Sequence, residues 1–402
     1  MIPKNLQAIV NNLKNTKWLQ PLLQVSDVYV VGGSVRDAFL GKEMKDIDLI
    51  VEGMSLSKIQ DMISTFGKVD IVGESFSVIK FTPKGFKGEP FDIAVPRMDR
   101  KIGSGHKGFE IITDGVNIFT DLKRRDFTIN SMAVEIKTGK LLDLFDGQGD
   151  IERGLLRATD AKAFVEDPLR ILRGIQFAAR FGFKFAPVTM KLMQDNAHLI
   201  KEITGERIFD EFVKVIDKKG NTDVALSLMK QSGIDKALFD KEMLDYPEGV
   251  GMMDKASFFY VLGLLGDVDP ANFLKKRLKG DNELVGDVRT LNNIITKLPT
   301  LNDEEDLRFF LFTSFNKSPK VMDADALPQE LDDIVHEFKM KNIPMTPKDI
   351  AITGDDIMFM GNLKEGPEVG AITEKIQRDA LMNRFNFANR QDSLEYLENL
   401  LN

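Results

Sequence analysis

Asp46 and Asp48, in the run Asp46-Ile47-Asp48-Leu49-Ile50-Val51, are residues whose type and spacing could do chemistry. On a strand, the period of two puts both carboxylates on one face, about 6.6 Å apart along the chain, while Ile47 and Leu49 face a core. Two hard oxygen ligands around one small volume suit magnesium, which favours carboxylates together with substrate phosphates. A metal pair about 4 Å apart can activate a hydroxyl and steady a leaving pyrophosphate. Alone, an Asp-x-Asp pair more often marks an edge strand with two solvent-facing acids, so its neighbours decide the reading.

Upstream, Val28-Tyr29-Val30-Val31-Gly32-Gly33-Ser34-Val35-Arg36-Asp37 reads as a buried strand, a glycine turn and a helix beginning near Ser34. Such a junction frees backbone N–H groups at Gly32, Gly33 and Ser34 for phosphate oxygens, and Arg36 adds charge. A tight turn needing glycine for backbone reasons alone is the plainer meaning of a Gly-Gly pair. Downstream, Asp92 in Phe91-Asp92-Ile93-Ala94-Val95 offers a third carboxylate on a later strand.

Two further constellations follow. Asp121-Leu122-Lys123-Arg124-Arg125-Asp126-Phe127-Thr128-Ile129-Asn130 packs three cations, two acids and an amide ahead of a strand-like segment from Met132 to Ile136. Arg124 and Arg125 can grip phosphate bidentately, while Asp126 and Asn130, four apart on a helical turn, can hydrogen-bond a ribose 2′-hydroxyl. The plainer alternative is a capped helix start with a salt-bridged surface. In Glu166-Asp167-Pro168-Leu169-Arg170-Ile171-Leu172-Arg173, Pro168 suits the first helical position. Leu169, Leu172, Ile175 and Ala179 gather on one helix face and leave Asp167, Arg170 and Arg173 along another. An acceptor beside a donor can read a Watson–Crick edge. Cytosine and adenine each present an amino donor beside a ring acceptor, whereas uracil and guanine present the reverse order and leave buried groups unpaired. The alternative role for Asp167 is a simple helix cap.

Gly-Gly-Ser-Val-Arg-Asp at 32–37 with Asp46-Ile47-Asp48, Arg-Arg-Asp-Phe-Thr-Ile-Asn at 124–130 and Glu-Asp-Pro-Leu-Arg at 166–170 together resemble the signatures of a known family. It is the class II tRNA nucleotidyltransferase and bacterial poly(A) polymerase family of the DNA polymerase beta superfamily. The resemblance implies template-independent nucleotidyl transfer that adds C, C and A to the tRNA 3′ end from CTP and ATP. Catalytic roles fall on Asp46, Asp48 and Asp92, with Mg2+ held by Asp46 and Asp48. Nucleotide-binding roles fall on Gly32, Gly33, Ser34, Arg36, Arg124, Arg125, Asp126, Asn130, Asp167, Arg170 and Arg173. Asp167 and Arg170 read the base, and Arg173 lies near the triphosphate. Two departures stand out: Ser131 where the family usually has Ala, and Gln176 where relatives often carry a further Arg, which implies a weaker phosphate grip.

A loop after the third-carboxylate strand is associated in the family with the switch from C to A addition. Its presence here favours full CCA addition over CC-only enzymes, although an A-only enzyme could keep it. Gly73-Glu74-Ser75-Phe76-Ser77-Val78 stands where poly(A) polymerases carry an Arg-rich segment, which argues against poly(A) addition. A-adding, CC-adding and poly(A)-adding enzymes and a non-catalytic RNA-binding relative are the alternative readings. Glu206-Arg207-Ile208-Phe209 resembles the family's neck motif, and the segment from Ile352 to Gly370 resembles its tail. The histidines of an appended phosphohydrolase domain are lacking.

The elements that must position these residues change character along the chain. The first third alternates β-branched runs at 28–31, 47–51, 69–72, 78–81 and 91–95 with helices and glycine turns, and from about Ala161 onward the pattern is helix after helix. We expect an α/β nucleotidyltransferase head over 1–160, a helical neck that reads the nucleobase over 161–220, a helical body over 221–340 and a helical tail that binds tRNA over 341–402. The prolines at 344 and 347 suggest a linker before the tail.

Composition adds exclusions. The chain has no cysteine, so disulfides and thiolate zinc sites are excluded, and His106, His198 and His336 lie at no metal-ligand spacing. Ile2, Leu6, Ile9, Val10 and Leu13 have helical spacing and read as an amphipathic surface helix rather than a secretory leader. No window is apolar enough to span a bilayer, and a cytoplasmic location without an obligate protein partner is expected. The net charge of −8 argues against a broadly basic nucleic-acid surface but allows local tracks such as Lys123-Arg124-Arg125 and the run from Lys275 to Lys279. Gly103-Ser104-Gly105-His106-Lys107-Gly108 matches a dinucleotide-binding pattern, but no apolar strand precedes it and no amphipathic helix follows, so a loop is the better reading.

Overall fold

The computed structural model describes residues 2–44, 46–72, 78–101, 109–245 and 251–402. The Gly103–Gly108 pattern and residues 73–77 of the segment weighed against poly(A) addition lie outside the described residues. Two compact units divide the chain, Met1–Glu242 and Met243–Asn402.

In the first unit, β1 (Asp27–Val31), β2 (Asp48–Glu52), β3 (Gly67–Val72), β4 (Val78–Pro83) and β5 (Phe91–Ala94) form one mixed sheet with two later strands. A hairpin of β6 (Met98–Lys101) and β7 (Phe109–Ile112) stands apart, and β8 (Met132–Glu135) and β9 (Leu141–Asp143) complete the sheet in the order β3-β4-β5-β2-β1-β8-β9. Only β2 and β5 pair in parallel within it, and their register sets Asp48 opposite Asp92. Helix α1 (Lys4–Lys14) buries Leu6, Val10 and Leu13, the stripe expected of it, in the core beneath β1 and β2 with Val28, Val30, Leu49 and Val51. Helix α2 (Gln20–Val25) leads into β1, and α3 (Gly33–Phe39) leaves it through the glycine turn.

The sheet gives way to helices as the periodicity predicted. After α4 (Leu56–Ile63), α5 (Ile118–Lys123) and α6 (Gly147–Glu152) come α7 (Ala161–Glu166), α8 (Leu169–Phe181), α9 (Pro187–Asn196) and α10 (Gly205–Asp217). Helix α8 buries Leu169, Leu172, Ile175 and Ala179, the four residues expected on its apolar face, and ends at Gly182 in the left-handed conformation (φ 70°). Residues 1–160 and 161–220, expected as head and neck, fall together with residues 221–242 in the first unit. The second unit is helical among its described residues, and Phe312, Phe338, Ile352, Ile376 and Leu397 belong to its own core. No described helix is long and apolar enough to cross a membrane.

Candidate active site

The glycine turn is built for close approach. Gly32 has φ 64°, a conformation that strains any other residue, and a Cβ there would also crowd the end of the Arg125 side chain, 2.4 Å from Nη1. Gly33 opens α3, and Arg36 in its first turns is buried, donating to Asn130 Oδ1 at 2.6 Å and to Asp37 Oδ1 at 2.8 Å. Its guanidinium also lies over the rings of Phe177 and Phe181, 5.3 and 5.1 Å from their centroids. The Ser34 hydroxyl is buried and donates to the Asp46 carbonyl at 2.6 Å, so it shapes the turn rather than lining a cavity.

One expectation needs correcting. Asp46 is not within the strand: β2 begins at Asp48, and Asp46 lies exposed in the bend before it, where Ser34 captures its carbonyl. The ladder is felt one residue earlier, since the Asp92 N–H donates to the Ile47 carbonyl at 3.3 Å. Burial, with repulsion from Asp92 and Asp46, pushes the Asp48 carboxyl up to about 6 against the pull of Arg125. Asp92 accepts from Lys80 Nζ at 2.9 Å. Among the described residues no three carboxylate or imidazole groups are gathered as a metal cage. The donor chemistry nevertheless fits a divalent cation at Asp46 and Asp48: hard oxygens, one of them partly desolvated, with the repulsion a cation would relieve.

The 121–130 motif folds around a fully buried Asp121, which the sequence reading left without a role. Its carboxylate accepts from Arg124 Nη2 at 2.6 Å, Arg125 Nη2 at 3.0 Å and the Arg97 backbone N–H at 3.3 Å. Burial pushes its pKa up, but Arg125 and Arg124 outweigh that and hold it below the usual range. Arg124 additionally donates to Asp99 at 3.1 Å and to the Arg97 carbonyl at 2.9 Å. Asp126 and Asn130 meet as expected of residues four apart, through the short helical turn Thr128–Asn130, at 2.9 Å. They are also bound into a hydrogen-bond chain from α3 to α8: Arg36 donates to Asn130, Asn130 to Asp126, and Arg173 Nε to Asp126 Oδ2 at 2.8 Å. Burial opposes the charge on Asp126, yet Arg173 and the donated hydrogen bonds draw its carboxyl down to about 2.

Asp167 sits between α7 and α8, its Oδ1 accepting from the Leu169 N–H at 3.2 Å and standing 3.8 Å from Arg207 Nη2. Pro168 occupies the cap position, one residue before the place expected for it. Arg170, one turn on, has a buried Nη1 with no hydrogen-bond partner. Burial lowers its pKa against the pull of Asp126 and Asp167, so a donor has been desolvated at real cost.

A cavity of about 600 Å³ brings most of these groups together. Gly33, Arg36, Asp48, Arg124, Arg125, Asp126, Asn130, Asp167, Arg170 and Arg173 line it, whereas Gly32, Ser34, Asp46 and Asp92 do not. Arg97, Asp99, Glu166 and Arg207 line it as well. None of these four was singled out as a site residue. Arg97 and Asp99 alternate just beyond β5, and Arg207 belongs to the neck motif, so a signal existed, but only tertiary packing joins it to the cavity. Gln176 is buried and absent from the lining. Seven arginines against five acids around one volume make the cavity locally cationic in a chain of net charge −8. Such an arrangement can hold a polyanion along its floor and pair a planar polar group between Asp167 and Arg170.

Comparison with known proteins agrees along the chain. Residues 28–157 match the family model "Poly A polymerase head domain", residues 182–246 the "Probable RNA and SrmB-binding site of polymerase A", and residues 255–397 "tRNA nucleotidyltransferase domain 2". The multifunctional CCA protein of Aliivibrio salmonicida is 39% identical over 212 residues, covering 51% of this chain and 49% of that protein. The CCA-adding enzyme of Blochmanniella floridana is 38% identical over 215 residues, covering 52% and 49%. The chain thus matches about half the length of these curated relatives. Among solved structures, the apo form I of a CCA-adding enzyme superposes with a TM-score of 0.72 at 25% identity, covering 100% of this chain and 94% of the other. The Thermotoga maritima CCA-adding enzyme complexed with tRNA gives 0.70 at 24% identity, covering 100% and 97%, a likeness of fold.

Proposed function

Because the chain belongs to the class II tRNA nucleotidyltransferase and bacterial poly(A) polymerase family, we propose that it adds C, C and A to the 3′ end of tRNA from CTP and ATP without a template. One observation carries the reading: Asp48 of the sheet and the Asp167–Arg170 pair of the helical part line the same cavity, with Arg124, Arg125 and Arg173 also on its walls.

In the proposed reaction the 3′-hydroxyl of the RNA gives its proton to solvent and attacks the α-phosphorus, an O–P bond forms, and the bond to the oxygen bridging to the β-phosphate breaks to release pyrophosphate. A divalent cation, Mg2+ in this reading, would be held by Asp46 and Asp48 and would supply charge at the phosphates and lower the pKa of the hydroxyl. Arg124, Arg125 and Arg173 offset the triphosphate charge, while Gly33 opens the helix that faces it. Asp126 and Asn130 face the ribose and favour a 2′-hydroxyl. Asp167 accepts from the amino group of cytosine or adenine and Arg170 donates to the adjacent ring nitrogen, so UTP and GTP leave both residues unpaired. Catalysis then comes mainly from positioning and charge stabilisation. The helical parts beyond the neck, 341–402 in particular, are assigned to the tRNA, and the setting is cytoplasmic, where both nucleotides and tRNA are at hand.

The supporting experiment is incorporation of labelled CTP and ATP into tRNA lacking its end. Asp46→Ala and Asp48→Ala should each reduce incorporation by at least about a thousandfold. Full activity in both variants would refute the assignment of those carboxylates.

A further inference from the structure

The parallel pairing of β2 with β5 and the antiparallel pairing of β5 with β4 put Asp48, Asp92 and Lys80 in register across three adjacent strands. Residues directly opposite one another on neighbouring strands share a face, so the acids and the lysine form a single row. Lys80 Nζ lies 2.9 Å from Asp92 Oδ1, both side chains being partly exposed. The lysine charge is felt at Asp48 as well, where it opposes the repulsion of Asp92 and Asp46. The row therefore already contains one cation, covalently tethered and bonded to the third acid. Among the described residues no three acids gather around one point.

We propose that Lys80 is the resident counter-ion of this carboxylate row, a positioning residue that holds Asp92 beside Asp48 and sets how tightly the row takes up a divalent cation. The inference rests on the reading of Asp46 and Asp48 as the cation ligands. An ammonium within the row repels an incoming dication and competes with it for Asp92, so its presence keeps binding weak until the phosphates of a nucleotide arrive with charge of their own.

The test is Mn2+ binding to the full chain without nucleotide, followed by water-proton relaxation, in the unaltered protein and in Lys80→Gln, Lys80→Arg and Asp48→Asn. Removing the charge should tighten Mn2+ on the order of tenfold, and Lys80→Arg should bind as the unaltered protein does. Asp48→Asn should lose the site. Equal thermal unfolding temperatures identify the variants as folded. Unchanged or weaker Mn2+ binding in Lys80→Gln, with Asp48→Asn still losing the site, overturns the role of Lys80 alone. Retention of the site in Asp48→Asn overturns the carboxylate reading on which it rests.

Discussion

Arg170 is the residue on which the proposed selectivity turns. Its buried Nη1 has no acceptor in the protein, and a desolvated unpaired donor costs about 1–3 kcal/mol unless a ligand satisfies it. Arg170→Ala should therefore lower kcat/KM for CTP and ATP by about ten- to a hundredfold while barely changing the values for UTP and GTP. Steady-state kinetics with all four nucleotides check this, and a uniform loss across them would instead reassign Arg170 to phosphate binding. Asp126 makes a pH prediction. Its carboxyl lies at about 2 in the folded chain against 3.8 ordinarily, so it contributes about 2 kcal/mol that is present above pH ~4 and is lost as pH falls toward ~2. Urea unfolding across that range should give a shallower pH slope for Asp126→Asn than for the unaltered protein. Residue types and spacing made both positions legible. They did not disclose that Asp126 also accepts from Arg173 and Asn130, nor that the Ser34 hydroxyl turns to the Asp46 carbonyl. A side chain's choice among several partners is decided by burial and by elements distant in sequence.

At the scale of elements, α8 turns the stacked rings of Phe177 and Phe181, whose centroids are 5.8 Å apart, toward Arg36 of α3. Arg36 lies over both, and Lys42 and Arg180 approach the Phe181 ring at 4.5 and 4.8 Å. Phe181→Ala should loosen Arg36, a cavity-lining group still held by Asn130, Asp37 and Phe177, at a cost of about 1 kcal/mol in cation–π attraction. The KM for CTP should then rise several-fold with little change in kcat, and Phe181→Tyr should restore it. At the other end of α3, Gly32→Ala puts a side chain at φ 64° and against Arg125. Its melting temperature should fall by an amount matching at least about 1–2 kcal/mol. Helical periodicity exposed the buried face of α8 in advance, and the β-branched runs located β1 to β5 to within two residues but did not mark β6, β7 or β9. Strand register was not legible: no spacing within β4 or β5 says that Lys80 stands opposite Asp92, because pairing is settled between strands rather than along them.

At the scale of the molecule, all the cavity-lining residues lie within the first unit, while the second unit holds its own core. On the proposed reading, nucleotide recognition rests on the first unit and tRNA contact draws on the second. A chain ending at Glu242 should bind CTP within a few-fold of the full protein by calorimetry and lose most of its affinity for tRNA. Loss of CTP binding in a folded fragment would show that the nucleotide needs the second unit. The proposal as a whole stands on the order of the nucleotides added. Presented with all four nucleotides and tRNAs ending before C, after C and after CC, the protein should yield sequenced products that all terminate in CCA, with none from Asp48→Ala. Products that stop at CC, run on into poly(A), or carry U or G would contradict the account.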